Sequence, residues 1–345
     1  MSVVYKKLED VCEILDSRRV PITAKDRKAG TYPYYGANGL QDYVADYIFD
    51  DELVLLAEDG GNFGSKERPI AYRVSGKCWV NNHAHVLKAK PNMHVDYLCY
   101  ALMFYDTEGL VNGATRQKLT QAAMRQMVIP YRDMTDQLQI IKKISQIVRS
   151  IEKRKEELQL LDQLVKSRFI ELFGDPVLNQ HGWRKVALEV NATLLNGRAY
   201  KQDELLDSGK YPVLRVGNFF SNRGWYYSDL ELDDDKYCDN GDLLYAWSAS
   251  FGPQIWNGGK VIYHYHIWKV LVGEAYNKQF LCKLLEYATE SLMGDTHGIA
   301  MMHLTKSGME KTEFIVPPIE RQEQFAAFVE QTDKSKLCGK MEVAA

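Results

Sequence analysis

The sequence lacks both the long apolar run and the leader that would place it in or across a membrane. No stretch of about 18 apolar residues occurs in the 345-residue chain, so no membrane-spanning helix is predicted. The N-terminus MSVVYKKLEDV has no basic segment followed by an apolar one, which argues against a secretory signal. We therefore expect a cytoplasmic protein with no membrane partner.

Cysteine is scarce and dispersed along the chain. The six cysteines form no CxxC pair, which argues against a structural zinc site and against a disulfide framework. Reduced and mostly buried thiols are the favoured interpretation. The six residues are Cys12, Cys78, Cys99, Cys238, Cys282 and Cys338.

An excess of positive charge is also missing. The formal net charge is -3, whereas a protein that holds DNA by itself usually has a basic excess, because neutralising phosphates supplies much of the affinity. The overall charge therefore gives no support for nucleic-acid binding. It leaves open local basic loops, or a partner subunit that supplies the positive surface.

No catalytic motif is complete. In EDGGNFGSK, Gly64 is followed by Ser65 and only then by Lys66, so the GxxxxGK[ST] spacing of a phosphate loop is not met. A flexible loop after a strand is favoured, with Asn62, Ser65 and Lys66 free to reach a ligand. The chain also lacks a nucleophile elbow, an HExxH motif, and the FxGxG loop and Asn-Pro-Pro-aromatic motif of amino-methyltransferases. No catalytic residue is predicted, although a self-contained enzyme acting on DNA stays open.

Four histidines form two pairs, His83 with His85 and His264 with His266. On a strand, residues two apart share one face, so each pair could ligate a metal. No further ligand follows at a recognisable spacing. Histidines hydrogen-bonded within the fold are therefore favoured, and no metal site is predicted.

What the chain does contain is a long-period repeat. The stretch GATRQKLTQAAMRQMVIP, residues 113–130, is matched by GIAMMHLTKSGMEKTEFIVP, residues 298–317. Further matches begin with YKKL near the N-terminus and WRKV after residue 182, and their offset grows from 178 residues to 187 at Pro130 and Pro317. A duplication with small insertions leaves this signature, so two homologous halves in tandem are predicted.

Each half has the pattern of an α+β unit. Strands are predicted in ELVLLA, CWVNNHAHVLKA, DLLYAW and KVIYHYHIWKVLV, which are rich in β-branched and aromatic residues. Helices are predicted in VDYLCYALMFYDTEG and KQFLCKLLEYATESLMG, which have helical apolar spacing and stop at Gly.

A long amphipathic helix follows the first half. Between residues 136 and 175, apolar side chains recur at alternating steps of three and four, with one break at Arg154, until Gly174-Asp175-Pro176 ends the pattern. About 35 residues would form a rod of roughly 50 Å, which favours a coiled-coil spacer over a helix lying on its own domain. The second half repeats only the beginning of this helix, in PPIERQEQFAAFVEQTDKSK, and the pattern stops in CGKMEVAA.

Basic, aromatic and amide residues are interleaved in the expected loops. Arg, Asn and Gln can read base edges, and Lys mainly contacts phosphates. Solvent exposure alone explains any one of them, but as a set in paired loops they are candidate DNA contacts. In the first half they are Lys25, Arg27, Lys28, Tyr32, Asn62, Ser65, Lys66, Arg116, Gln117 and Lys118. In the second half they are Arg198, Tyr200, Lys201, Arg215, Asn218, Asn222, Arg223, Trp247 and His297.

Together these features resemble the specificity subunit of a type I restriction-modification system. LLAEDGGNFGSK and GKCWVNNHAHVLKA are similar to one common sort of target-recognition domain, and LLYAWSASFGPQIWNGG is similar to another. FIVPPIERQEQF and LVKSRFIELFGDP resemble the helical regions between and after such domains. The resemblance covers residues 1–337.

The resemblance implies target-recognition domains at 1–135 and 176–318, a coiled-coil spacer at 136–175, and a truncated second helix at 319–345. Each domain would read one part of a split double-stranded DNA target, and the helices would set the spacing between the parts. The chain itself would catalyse nothing and hold no cofactor. Two methyltransferase subunits, which bind S-adenosylmethionine, would dock on it, and translocating restriction subunits would join them.

The short second helix departs from the family, in which the two helices pair antiparallel. An apolar stripe on the first helix is therefore expected to lack part of its internal partner and to be covered by a methyltransferase subunit or a second copy. A smaller departure is that Gln137 follows Pro130 by two residues more than Gln322 follows Pro317. Two alternatives stay open: a tandem-domain scaffold that binds another ligand, and a specificity subunit inactive through C-terminal truncation. The stripe consists of Leu158, Leu161, Val165 and Phe169.

Overall fold

The structure is a computed structural model. It describes residues 3–113, 116–220, 224–248, 250–294 and 305–344, without the side chains of 290–294 and 338–344. The chain divides into two compact units, Met1–Ile151 (unit 1) and Glu152–Ala345 (unit 2). Both combine mainly antiparallel sheets with helices, which confirms the predicted α+β class. None of the described helices is long and apolar enough to cross a membrane.

Unit 1 is built around a six-stranded sheet. Its elements in chain order are β1 (Val4–Lys7), α1 (Leu8–Val11), β2 (Cys12–Ile14), β3 (Ala29–Gly36), β4 (Gly39–Val44), β5 (Phe49–Ala57), β6 (Ala71–Val80), β7 (Ala84–Ala89), α2 (Val95–Met103), β8 (Val111–Asn112), β9 (Lys118–Leu119), α3 (Gln121–Gln126), β10 (Val128–Tyr131) and the long helix α4 (Met134–Phe173). The sheet order is β2-β7-β5-β6-β3-β4, and only the β3–β6 pairing is parallel.

The middle of this sheet is apolar on both faces. Val54 and Leu56 of β5 pack in a cluster that includes Leu98 of α2, and Leu53 and Leu55 pack in a separate cluster on the other side. A strand covered on both faces reads as a continuous apolar run rather than an alternation. This explains the segment ELVLLA and confirms it as a strand.

Unit 2 contains two four-stranded sheets. Its elements are the last part of α4, β11 (Lys185–Ala187), α5 (Leu188–Asn191), β12 (Ala192–Asn196), β13 (Tyr211–Leu214), α6 (Val216–Phe220), β14 (Tyr226–Ser228), β15 (Tyr237–Cys238), β16 (Leu243–Ser248), β17 (Ser250–Ile255), β18 (Val261–Tyr263), β19 (Ile267–Val272), α7 (Lys278–Gly294), α8 (Lys306–Lys311), β20 (Glu313–Ile315) and α9 (Ile319–Ala344). The strand orders are β12-β19-β16-β17 and β14-β13-β18-β15.

The two units repeat one topology. The order β2-β7-β5-β6 in unit 1 is matched by β12-β19-β16-β17 in unit 2, and the outer pairs β1–β10 and β11–β20 also correspond. Thr120 caps α3 by accepting a hydrogen bond from the backbone N–H of Ala123, and Thr305 caps α8 in the same way through Gly308. These correspondences confirm the predicted duplication.

One buried glutamine in each unit fastens the start of a helix to the domain. Gln137 Oε1 accepts from His94 N at 2.8 Å, and its Nε2 donates to the carbonyls of Asn92 and Arg132 at 3.0 and 2.8 Å. The side chain is fully buried. It therefore satisfies three backbone groups that would otherwise be buried without partners.

Gln322 makes the equivalent three bonds in unit 2. Its Oε1 accepts from Asn277 N at 2.9 Å, and its Nε2 donates to Ala275 O and Pro317 O at 3.0 and 2.7 Å. Pro317 therefore corresponds to Arg132 rather than to Pro130. The two prolines are therefore not equivalent, and counted from Arg132 and Pro317 the two glutamines lie at the same distance along the chain.

The long helix ends as its sequence predicts. Helix α4 has 40 residues and a length of roughly 60 Å. Gly174 follows with φ +72°, and its N–H bonds Ile170 O at 2.8 Å, which is the left-handed residue expected just beyond a helix. Helix α9 has 26 residues and is indeed the shorter one, but it continues through the segment CGKMEVAA to Ala344.

Two residues of the predicted partner stripe are buried inside unit 2. Phe169 lies 5.4 Å from Phe325 of α9 and 5.6 Å from Phe280 of α7, measured between ring centroids, and Val165 belongs to the same cluster. Their assignment to a partner surface is therefore wrong. Leu158 and Leu161 are only half-buried, and their role remains a prediction.

The packing of α9 explains this burial. Phe325 contacts Phe169 and Phe173 of α4, and farther along α9 the Lys336 ammonium lies 2.8 Å from the Asp162 carboxylate. From the first contact to the second, residue numbers rise along α9 and fall along α4. The two helices therefore run antiparallel within unit 2, and α9 covers the stripe from Phe169 back to Asp162.

The cysteines follow the prediction as far as they are described. Five of them are free and buried. Burial raises the pKa of each thiol to about 12, so the reactive thiolate is rare at neutral pH. The five are Cys12, Cys78, Cys99, Cys238 and Cys282, and the side chain of Cys338 lies outside the described part.

Candidate functional site

The strands of unit 1 end in a group of charged side chains that we call the strand-end network. The network consists of Asp16, Arg19, Glu58, His85 and Lys118. Asp16 follows β2, and continuing the register Ile14↔Leu87 places it opposite His85 of β7. The Asp16 carboxylate accepts hydrogen bonds from Val86 N and Gln121 Nε2, each at 2.9 Å.

His85 lies between two acceptors. Its Nδ1 is 2.6 Å from Asp16 Oδ2 and its Nε2 is 2.9 Å from Leu119 O, and the ring is fully buried. Both ring nitrogens therefore face hydrogen-bond acceptors. Burial by itself would raise the pKa of Asp16, but the hydrogen bond and the charge of His85 outweigh it and lower that pKa.

Glu58 closes the network from the end of β5. Its carboxylate accepts from Arg19 Nη1 at 2.6 Å and lies 3.0 Å from Lys118 Nζ. Burial would raise the pKa of Glu58, but its bonds to Arg19 and Lys118 lower it. Asp16, Glu58 and His85 offer ligand atoms within 4.8 Å of one another, yet each already has a hydrogen-bond partner. The group is therefore an ionic network, and a metal is not needed to account for it.

The segment Arg116–Lys118 lies against the end of β5. Arg116 Nη2 bonds Asp59 Oδ1 at 2.9 Å, and Gly60 N bonds Gln117 O at 3.1 Å. His83 shares Asp59, with its Nδ1 at 2.6 Å from the carboxylate. Three candidate residues that are remote from β5 in sequence thus gather beside it. His83 and His85 are both hydrogen-bonded within the fold, as predicted.

The loop after β5 uses two of its candidates to hold its own shape. Asn62 Nδ2 donates to Pro69 O at 3.4 Å, and Ser65 Oγ accepts from Arg68 N at 2.9 Å. Lys66 is exposed. Asn38, which the sequence did not single out, donates to Gly60 O at 3.0 Å and so belongs to this surface.

The remaining candidates of unit 1 form a separate group. Arg27 Nη1 pairs with Asp42 at 3.2 Å, and the Tyr32 ring packs 5.0 Å from that of Tyr47. Lys25 and Lys28 are exposed nearby in sequence. Among the described residues, no hydrogen bond or ion pair joins this group to the Arg116–Lys118 segment.

In unit 2 the same strand ends are aromatic, and we call them the aromatic ridge. The ridge consists of Trp247, His264, Tyr265 and His266. The segment KVIYHYHIWKVLV, predicted as strand, is interrupted at residues 264–266 by a tight turn, in which Ile267 N bonds His264 O at 2.9 Å. The turn holds three rings side by side, with centroids 3.9 to 4.7 Å apart.

The ridge occupies the position of the strand-end network. Trp247 N bonds His266 O at 3.0 Å, as Glu58 N bonds His83 O at 2.8 Å in unit 1. Trp247 thus stands where unit 1 has Glu58. Its Nε1 donates to Tyr265 O at 2.8 Å and fixes the turn.

The histidines of the ridge favour the neutral form. Burial, then the charges of His266 and Arg215, lower the pKa of His264 to about 4. Burial also lowers the pKa of His266. At neutral pH the ridge therefore presents neutral rings. The prediction that both histidines are hydrogen-bonded within the fold is confirmed for His264, whose Nδ1 accepts a hydrogen bond from His266 N at 3.4 Å.

Arg198 and Tyr200 lie beside the turn. Arg198 forms a two-bond pair with Glu204 at 2.7 and 2.8 Å, and its hydrogen bond, with a second bond from Lys201 N, lowers the pKa of Glu204 to about 2. Tyr200 stacks 6.4 Å from His264. Lys201 is exposed.

Arg215 and Asn218 line a cavity of about 480 Å³, together with Trp225 and Tyr226. Among the described residues, no carboxylate lies within ion-pair distance of the Arg215 guanidinium.

Three further candidates, Asn222, Arg223 and His297, lie outside the described residues. The turn His264–His266 is the part of this surface that sequence reasoning missed, because it contains none of the usual turn residues Gly, Pro, Asn or Asp.

A family model confirms the repeat from sequence. The model described as type I restriction modification DNA specificity domain matches residues 2–161 and again residues 181–339. The Haemophilus influenzae protein S.HindORF215P, named as a type I restriction enzyme specificity subunit, is 26% identical over 338 residues, covering 95% of this chain and 87% of that protein. The Escherichia coli EcoBI specificity subunit is 23% identical over 161 residues, covering 45% of this chain and 34% of that one.

Solved structures match over the whole chain. The S subunit of a type I restriction-modification system from M. genitalium aligns with a TM-score of 0.58 at 13% identity, over 100% of this chain and 92% of its own. A structure concerned with complex assembly and conformational transition of the type I R-M system aligns with a TM-score of 0.54 at 15% identity, over 99% and 93% of the two chains. At these identities the matches establish a shared fold.

Proposed function

The chain belongs to the family of type I restriction-modification DNA specificity subunits, and we infer that each of its units is a target-recognition domain that reads one half of a bipartite DNA target. The observation that carries this inference is the duplicated scaffold with unlike strand ends. One strand order occurs twice, with an ionic network at its end in unit 1 and aromatic rings in unit 2. Two such surfaces suit two different short sequences of bases.

The candidate contacts divide into base-reading and phosphate-binding residues by their chemistry. Amides and aromatic or imidazole rings can contact base edges, whereas Arg and Lys neutralise phosphates or bond guanine. Gln117, Asn38 and Lys118 lie together in unit 1, and Arg215 lies beside the aromatic ridge in unit 2. With a net charge of -3, the chain needs a partner to supply part of the attraction to DNA.

The subunit acts within a complex with DNA and the other subunits of the restriction-modification system. We propose two methyltransferase subunits, which bind S-adenosylmethionine and modify the target, and restriction subunits that translocate DNA. In this arrangement the chain holds no cofactor and carries out no catalysis, which agrees with the incomplete catalytic motifs of its sequence. It works in the cytoplasm, where the chromosome and the partner subunits are.

Helix α4 suits the role of spacer between the two reading sites. The hydrogen bonds of Gln137 and Gln322, which we call the glutamine joints, hold the beginning of α4 against unit 1 and the beginning of α9 against unit 2. We propose that the helices set the number of unread base pairs between the half-sites and offer docking surface to the methyltransferase subunits.

Methylation mapping tests the function directly. A host genome is mapped for modified adenine with and without this gene, in the presence of the methyltransferase partner. We expect one split motif with a fixed unread gap that appears only with the gene. Methylation that does not depend on the gene, or a motif without a gap, would contradict the proposal, and a pull-down of the methyltransferase would separate failed assembly from a wrong assignment.

A further inference from the structure

Building on the proposed function, we propose that the aromatic ridge of unit 2 is its base-reading element, with Tyr265 and His266 as specificity-determining side chains. The two residues contact bases of one half-site rather than the DNA backbone. Trp247 acts as a positioning residue that holds the turn.

The ridge is exposed and preorganised. Tyr265 is 38% exposed and lies outside the hydrophobic clusters, whereas the Trp247 ring packs 5.8 Å from the buried Trp268. The turn is tied to the scaffold by Tyr265 N to Arg198 O at 3.0 Å and by Trp247 Nε1 to Tyr265 O at 2.8 Å. A rigid ring at a strand end reaches a ligand without the entropic cost of ordering a loop.

The chemistry of the rings selects bases over phosphates. A neutral imidazole has one donor and one acceptor, which match a base edge, whereas a phosphate offers acceptors only. The lowered pKa of His266 agrees with this neutral form. Among the described residues, its ring nitrogens have no hydrogen-bond partner, so they are available to DNA. Arg215, beside His264, supplies the cation for a neighbouring phosphate.

The scaffold does not require these side chains. Unit 1 has the same strand order and the same backbone bond at this place, but carries His83 held by Asp59 and Arg116. Because the same fold forms with either set of side chains, Tyr265 and His266 are not needed for its stability. This separates Tyr265 and His266 from Trp247, whose packing on Trp268 has a structural role of its own.

Competition binding by the assembled complex provides the test. The motif is first established by methylation mapping with the natural chain. Y265A, H266A and the double variant are then assembled with the methyltransferase subunit, and duplexes with single-base changes compete for binding. We expect discrimination to fall about tenfold or more at one or two positions of one half-site, and to stay unchanged in the other half.

L271A is the matched control, because Leu271 is 45% exposed on β19 of the same sheet but stands apart from the ridge. Thermal unfolding must show that the variants fold. If a folded double variant keeps its discrimination at every position, or loses affinity equally for all duplexes, the ridge does not read bases. The bipartite motif of the natural chain would still stand, so this failure differs from failure of the proposed function.

Discussion

Equivalent positions at the ends of β5 and β16 carry Glu58 in unit 1 and Trp247 in unit 2. In both units the backbone N–H at this position bonds the carbonyl of a histidine, His83 or His266. Around Glu58 the side chains form ion pairs with one another, whereas around Trp247 the rings of the turn stay partly exposed. The strand ladder depends on backbone atoms, so the side chains at its end can change in kind while the scaffold remains.

The two units differ in where they place their charged side chains. Arg19, Lys118 and Arg116 of unit 1 all contact carboxylates of their own domain, so DNA must compete with Glu58 or Asp59 for the two exposed ones. In unit 2 the ridge is neutral. Two domains of one ancestry thus meet DNA with different chemistry.

The largest loss of unfolding free energy is expected from a substitution in the strand-end network. Asp16→Ala leaves Nδ1 of the fully buried His85 without its carboxylate partner, so unit 1 should lose about 3–5 kcal/mol of unfolding free energy. Asn196 lies opposite Trp268, as Asp16 lies opposite His85, and it is exposed. Asn196→Ala should change stability by less than about 0.5 kcal/mol. Denaturant unfolding measures both, and equal losses would remove the distinction between the two strand ends.

A second pair of variants should lower the stability of the two units by similar amounts. Gln137→Leu and Gln322→Leu each leave a buried backbone N–H and two carbonyls unsatisfied, at a cost of about 1–3 kcal/mol. Because the bonds are equivalent, we expect similar losses, observed as faster hydrogen exchange at His94 and Asn277. A loss in one unit only would mean that the joints are not equivalent. Exposed Gln139 and Gln331 offer control positions on the same two helices.

Acid should open the two strand ends in different pH ranges. The folded-state pKa of His264, about 4, lies below its ordinary value near 6.5, so protons bind the unfolded form and the turn loses stability as pH falls from about 6.5 to 4. We expect a loss of about 1–2 kcal/mol, reduced by partial solvent exposure. The lowered pKa of Asp16 keeps its contribution until pH falls below about 3.9.

Hydrogen exchange, corrected for intrinsic rates, can follow Ile267 N for the turn and Val86 N for the network. At pH 5 the first amide should exchange faster than at pH 7, while the second should not change. H264Q should remove most of the pH dependence at Ile267, and the lowered pKa of His266 should account for the remainder. If that dependence persists in full in the variant, another group titrates.

The smallest effects on stability are expected from two exposed arginines. R116A removes a surface ion pair and should cost less than about 1 kcal/mol, and R215A should cost less than about 0.5 kcal/mol. Each should lower the slope of log affinity against log salt by about one in the assembled complex. R215A should weaken DNA binding more, because Arg116 must first leave Asp59. The reverse order would show that Asp59 does not restrain Arg116.

Local pattern was enough to predict much of the fold. The apolar run ELVLLA became β5, and the three-and-four spacing that stops at Gly174 became α4. The repeat predicted two homologous halves, which the matching strand orders confirm. These features depend on neighbours in sequence, and a single sequence contains that information.

The parts that were missed depend on contacts between distant residues. Asp16 and His85 are 69 residues apart, and nothing near either one indicates the pair. The turn at 264–266 is set by Trp247 and Arg198 rather than by its own composition. Val165 and Phe169 are buried because α9 packs against α4. The residue pattern of α4 alone does not indicate where α9 lies.

The two glutamine joints have a consequence for inheritance. Each joint lies wholly within one ancestral copy, since it binds backbone atoms just before that copy's own domain helix and just after its own last strand. A gene segment that encodes such a copy therefore carries its attachment with it. Descendants can therefore differ at the ends of the strands, and so in the DNA sequence that they read, and still hold the helix in the same way.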